Sequence, residues 1–279
     1  VTQNLPEALQ QKLDTRREAL RRKYQNQMRW QKRWAEIVLF FLGLYVGLPF
    51  LAPALLKAGI EQPANLIYTL YSPLCHQMAF RSIFLFGEQI FYPREAANDA
   101  NFQTFDERAA QSEEFVALYT EHKRAQLRRQ FGQDVADNYQ FRGAEELAEW
   151  DNALVFAARR FKGDPQMGYK VTLCARDIAI YGGMVLGGVF FLFTRRRLRP
   201  VPFALYLLLG IVPIGLDGFS QLLSYPPFEF WPPREALPEF RVITGLLFGL
   251  MNAWLAFPYV EQAVRQSQQK TQAELNRLG

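Results

Sequence analysis

Ile37–Leu56, IVLFFLGLYVGLPFLAPALL, runs twenty residues without a charge. That is the length a helix needs to cross the hydrocarbon core of a bilayer. Pro49 and Pro53 would break a helix in water, but a spanning helix tolerates them where neighbours satisfy the freed carbonyls. Outward from this stretch the pattern repeats three times. Ile178–Thr194 (IAIYGGMVLGGVFFLFT) carries two Gly-Gly pairs suited to close helix contact, and Arg195-Arg196-Arg197-Leu198-Arg199-Pro200 ends it. Val201–Leu216 stops at Asp217, and Val242–Phe257 lies between Arg241 and Glu261. These last three stretches are short but workable when polar ends reach the interface. Averaged over all 279 residues the chain looks soluble, with a slightly negative mean hydropathy. The average conceals apolar stretches separated by dense charge.

The expected fold class is therefore all-α, a polytopic membrane helix bundle of four spans with a helical extracytoplasmic insert. Long apolar runs and 15% aromatic residues exclude disorder as the main state. Two cysteines, Cys75 and Cys174, exclude a disulfide-dense scaffold and the usual structural zinc sets with three or four cysteines. Five segments follow from the charge pattern. Residues 1–36 form a cytoplasmic basic helix, and 37–91 hold the first span and a Cys-His-Gln segment. Residues 92–169 are the insert, 170–260 a three-span bundle, and 261–279 a cytoplasmic tail. No cleavable signal is visible, so the first span reads as a retained anchor.

Orientation is expected from Lys and Arg in the short flanks. Residues 1–36 contain nine basic residues against four acids, a net of +5, which equals the formal charge of the whole chain. The excess belongs to a membrane-flanking leader, so it speaks for anionic lipid and not for nucleic acid. It places both termini in the cytoplasm of an inner (plasma) membrane, with Arg195–Arg199 as a cytoplasmic turn.

Outside the spans, between residues 57 and 177, Leu66–Leu74 is too short to span and rich in Tyr, a segment that lies at the interface or re-enters partway. Thr104–Phe131 is expected to be helical, with Thr104 and Glu107 at capping-box spacing. Ala144–Phe161 is an amphipathic helix burying Leu147, Trp150, Leu154, Ala157, Ala158 and Phe161, closed by Gly163-Asp164-Pro165. His122, between Glu121 and Lys123, reads as solvated. Leu9, Leu13, Leu20, Tyr24 and Met28 suggest a helix leading into the first span, and the Gln-rich tail is a candidate helix to pair with it. Ser224–Phe240 (SYPPFEFWPPREALPEF) reads as a stiff aromatic loop without a binding role.

The uncommon residues fall on one side of this topology. Cys75-His76-Gln77 and Arg81 follow the first span, Cys174-Ala175-Arg176-Asp177 precedes the second, Asp217 and Gln221 follow the third, and Arg241 opens the fourth. Charges at membrane depth pair, face a cavity or do work. Arg81, Arg176 and Arg241 with Asp177 and Asp217 form a candidate buried cluster.

At these residues the chain resembles the domain-of-unknown-function 2085 family of predicted prokaryotic membrane proteins. The resemblance is carried by Cys75-His76-Gln77, Arg81-Ser82, Gly87, Leu173–Asp177, Ile180-Tyr181, Pro213, Asp217-Gly218, Gln221, Arg241 and Thr244-Gly245, over roughly residues 65–255. Two departures stand out. Where the family commonly carries Cys-x-Arg-Cys, this chain has Asp177, and a long insert replaces the short hairpin between the two motifs. The resemblance implies no biochemical activity.

Three chemistries remain open. A disulfide between Cys75 and Cys174 would close a long loop, worth about 4–5 kcal/mol on the chain-entropy model. It ranks above a metal site, with zinc the candidate cofactor, formed by Cys75, His76 and Cys174, with Asp177 or Asp217 as further ligands. Arg81, Arg176 and Arg241 could instead hold an anionic headgroup, with Asp177, Asp217 or Gln221 as candidate catalytic residues. Against that stands the simpler role, in which the arginines neutralise the aspartates and tie spans together. No nucleotide loop, serine-nucleophile elbow or zinc-protease helix is present. The favoured function is an accessory or assembly subunit of a membrane complex, meeting membrane lipids and partner membrane subunits. The alternative is a membrane enzyme, with metal as an option, acting on a lipid-linked or amphipathic substrate at the outer face.

Overall fold

The computed structural model describes residues 7–194 and 196–278, with the backbone alone at 8, 9 and 278; Arg195, part of the expected turn, lies outside the described residues. The first apolar stretch belongs to one helix, α1 (Glu7–Lys57), continuous through the basic leader. It turns at Gly59 into α2 (Glu61–Tyr71). After the insert come α8 (Ala175–Phe193) and a third span of α9 (Phe203–Leu205), a wide-turned stretch at Tyr206–Ile211 and α10 (Val212–Leu222). The last helix, α11 (Pro238–Leu278), runs through its span and out into the tail. The wide turn has a local cause: Pro213 cannot donate, and its ring crowds the carbonyl of Leu209, so the ladder opens just before it.

Among the described residues, four helices are long and apolar enough to cross a membrane, and their most apolar stretches are only 11–39% buried. Phe40, Phe41, Leu44, Phe190, Phe193, Phe203, Leu208 and Leu216 point outward. Surface of that extent is matched by lipid, not by water. The chain is a mostly all-α membrane protein.

Helix packing centres on α8 and α11. Their backbones touch because glycines face each other's chain: a Cβ at Gly249 would sit 2.0 Å from the Ile180 carbonyl oxygen, and one at Gly183 would sit 2.7 Å from that of Leu246. The Gly-Gly pairs of the second span serve the expected contact. Their counterpart is Gly245-Leu-Leu-Phe-Gly249, a small-xxx-small motif. Gly249→Ala is expected to lower the thermal midpoint in detergent by an amount equivalent to about 1–3 kcal/mol of overpacking. An unchanged midpoint would show that the helices separate freely there.

The long ends of α1 and α11 also pair. Gln31 Nε2 donates to Ser267 Oγ (2.8 Å), Trp34 Nε1 to Glu261 Oε2 (2.8 Å), and Trp34, Phe191 and Phe257 cluster where the arms leave the bundle. Leu20, Tyr24 and Met28 are half-buried while Leu13 is exposed, so the expected stripe is only partly covered.

At the opposite end sits the cap. The cap is not purely helical, because the insert and the residues flanking it form a three-stranded antiparallel sheet in the order β1 (Ser82–Leu85), β3 (Gly168–Cys174), β2 (Gly163–Asp164). Gly163-Asp164, expected to end a helix, is a strand leading into a hairpin. Asp164 Oδ1 accepts from Gln166 N (2.9 Å) and Met167 N (2.7 Å), and Gly168 takes φ +77° against the Leu85 carbonyl. Both expected insert helices are broken. Thr104 does cap α3 (Phe105–Ala109), accepting from Glu107 N, but Ser112 then starts α4 (Glu113–Phe131), which is followed by α5 (Gln133–Asp137). Asp151 likewise accepts from Leu154 N and divides α6 (Ala144–Ala148) from α7 (Asn152–Arg160). In each case a second N-cap residue competes successfully with helix continuation. The apolar face was nonetheless read correctly: Leu147, Leu154, Ala157, Ala158 and Phe161 are all buried in the cap core, with Trp150 packed against it. That core also takes in Met78, Ala79, Phe80 and Phe84. His122, read as solvated, is half-buried, its ring 5.7 Å from that of Phe156.

Candidate functional site

The motif residues meet where the cap joins the bundle, in two neighbouring groups. The first is ionic. Asp217 and Gln221, four residues apart, lie on one face of α10 and are buried within it; they do not follow the end of the span. Arg176, in the first turn of α8, pairs with Asp217 Oδ2, and Arg234 reaches Asp217 Oδ1 at 3.4 Å.

Arg81 and Arg241 do not meet an aspartate. They converge on Glu235, from the Pro-rich loop read as a stiff aromatic segment without a binding role. Arg81 Nη2 lies 2.7 Å from Glu235 Oε1, and Arg241 Nη2 donates to Oε2. Tyr225 OH donates to Oε1 at 3.1 Å, and Gln221 Nε2 donates to Oε2 while its own oxygen accepts from Arg241 at 3.1 Å. The Glu235 side chain is 3% exposed. Burial pushes its carboxyl up, but Arg81 and Arg241 outweigh burial and hold it below the ordinary range. Opposite charge raises Arg81 against the pull of burial, so both partners of the pair favour their ionised forms. The loop reaches the cap as well, with Glu235 N bonded to Ala96 O (3.3 Å) and Tyr225 lying 4.2 Å from Trp150, ring to ring. One carboxylate thereby joins cap, loop, α10 and α11.

Glu235, with Arg234 and Tyr225 from the same loop, was missed by sequence reasoning. An acid among prolines and aromatics beside a membrane is itself costly, and that cost was the available signal.

The second group holds the cysteines. Cys75 follows α2, and Cys174 ends β3 and caps α8, its sulfur accepting from Asp177 N at 3.5 Å. Both are half-buried free thiols. One ligand atom from each of Cys75, Cys174 and Asp177 lies within 4.8 Å of the others. Asp177, which the sequence offered both to the arginine cluster and as a further metal ligand, lies with the cysteines, because helix capping draws the first turn of α8 toward them. Exposed His76 is not part of the group. The Cys174 thiol's hydrogen bond to Cys75 lowers the Cys75 value against burial and raises that of Cys174 well above the usual thiol range.

These residues fall largely in a segment with known relatives. Residues 166–255 match the family described as predicted membrane protein (DUF2085). The matched segment contains Cys174, Arg176, Asp177, Asp217, Gln221, Glu235 and Arg241, while Cys75, His76 and Arg81 precede it. Over 92 residues, 33% of this chain, it is 29% identical to an uncharacterized protein, MJ1492, of Methanocaldococcus jannaschii. The alignment spans 54% of that archaeal protein, about half its length. No solved structure matches the chain.

Proposed function

We propose that this membrane protein is an accessory or assembly subunit of a membrane complex, its cap held rigidly on the bundle and its paired helical arms offered to partner subunits. The observation that supports this reading is the internal pairing of the candidate anion-binding arginines. Arg81 and Arg241 are turned onto Glu235 and Arg176 onto Asp217, so an anionic headgroup would have to displace a buried carboxylate. This favours the structural role over an enzyme acting on a lipid-linked substrate. The basic leader and the Lys and Arg of the tail emerge opposite the cap, which supports a cytoplasmic location for both termini in a prokaryotic plasma membrane.

Asp217→Asn tests the structural role. The expected loss is about 1–3 kcal/mol in thermal or denaturant unfolding in detergent, discounted for the partial exposure of Arg176 and Arg234. In native membranes the tagged chain is expected to migrate with partners, and removal of residues 1–28 and 266–279 to release it without loss of membrane insertion. Full stability of the Asn variant, or migration of the intact chain alone, would defeat the reading. For orientation, a membrane-impermeant maleimide on intact cells should label Gln140→Cys in the cap and spare Gln272→Cys in the tail; the reverse pattern inverts the topology.

A further inference from the structure

We infer that Cys75, Cys174 and Asp177 form a binding site for one zinc-class divalent cation, with two thiolates and a carboxylate as ligands and a fourth position left to water or an exchangeable ligand. The inference is independent of the accessory role.

Three donors within 4.8 Å of one another suit an ion bound at about 2.0–2.3 Å from each. The softness of two sulfurs selects zinc, cobalt or cadmium over magnesium or calcium, which take oxygen alone. A set of three protein ligands is the pattern of an open site, not of a closed structural one.

The surroundings favour the metal-ligating form of the sulfurs. Cys75 Sγ accepts two backbone N–H groups, from Gln77 (3.5 Å) and Cys174 (3.4 Å). Cys174 Sγ accepts a third, from Asp177, at the positive end of α8. The first of these bonds requires a left-handed residue: Gln77 has φ +53°, a conformation costing a side-chain-bearing residue about 1 kcal/mol or more. Two contacts hold it there. Its Nε2 donates to Tyr68 O (2.9 Å), and its carbonyl accepts from Lys170 Nζ (2.6 Å). Outer contacts of this kind orient ligands in metal sites generally. Cation binding would displace the thiol protons of Cys75 and Cys174 and release them to solvent.

The sequence offered His76 as a ligand beside Cys75 and Cys174, with Asp177 or Asp217 as further ones. Adjacent residues point apart, however, and the structure supplies a carboxylate from α8 in its place.

The test uses the full chain purified in detergent under a phosphine reductant, with Co²⁺ and Zn²⁺ as probes. One Co²⁺ per chain should bind with proton release and a thiolate-to-cobalt charge-transfer band, and one Zn²⁺ should displace it. Cys174→Ser should abolish the band, Asp177→Asn should weaken affinity at least about tenfold, and His76→Ala should change neither. Should Cys174→Ser fail to fold, alkylation of the native chain replaces it, and Zn²⁺ must then protect both thiols. Absence of the band in the folded, reduced chain overturns the assignment. So does a band that survives in Cys174→Ser, an Asp177→Asn affinity equal to that of the native chain, or thiols that Zn²⁺ leaves unprotected.

Discussion

Glu235→Gln is expected to destabilise the protein by about 3–5 kcal/mol, enough to shift much of it into aggregate on extraction. The substitution keeps volume and two hydrogen-bonding atoms, so packing is not the cause. It leaves the guanidinium of Arg241, 5% exposed, and that of Arg81, 23% exposed, facing each other without the charge between them. Removing the arginine as well should restore part of the loss, because a buried pair replaced whole by apolar groups is often neutral. Glu235→Leu combined with Arg241→Met is therefore expected to be more stable than Glu235→Gln. The pH dependence has a definite sign. A carboxylate whose folded value is depressed contributes stability above its unfolded value, about 4.3, and loses it as pH falls through the folded value. The gap in thermal midpoint between native chain and Glu235→Gln should be full at pH 6–7 and shrink below about pH 4. A gap independent of pH would mean that Glu235 acts through shape alone.

Lys170→Met should be comparably damaging. Lys170 lies in β3, fully buried, and its Nζ donates to three main-chain carbonyls: Gln77 (2.6 Å), Ala158 (3.0 Å) and Arg159 (2.7 Å). Burial pulls its pKa well down, yet three acceptors match the three hydrogens of an ammonium, one more than a neutral amine can offer. Methionine fills much of the same space and orphans all three carbonyls at about 1–3 kcal/mol each, less what water recovers. The lysine joins three separate elements: the segment after Cys75, the end of α7 and the central strand. Loss should therefore appear as faster amide exchange at residues 77–81 and 158–162 and as faster alkylation of Cys75, before the spans are affected. Unchanged exchange in those segments would show that the carbonyls find other partners.

The spans were readable because hydrophobic length is a local property: twenty uncharged residues cross a bilayer whatever their neighbours are. The amphipathic face of residues 147–161 was readable for a similar reason, since the positions to be buried recur along one helical stripe. The breaks in that stripe at Asp151, and in its predecessor at Ser112, depend on which of two local hydrogen-bonding solutions the packed cap rewards. Periodicity carries no trace of that competition.

Charge partners are the least local feature of all. That Arg81, Arg176 and Arg241 must be neutralised followed from their placement beside lipid. That Glu235 neutralises two of them follows from a loop folding back between cap and α11, and that Asp177 leaves them for the cysteines follows from the capping of α8 by Cys174. Burial along a single segment depends on the order of its residues. Which acid meets which base depends on distances between segments far apart in the chain, and those exist only once the helices have packed.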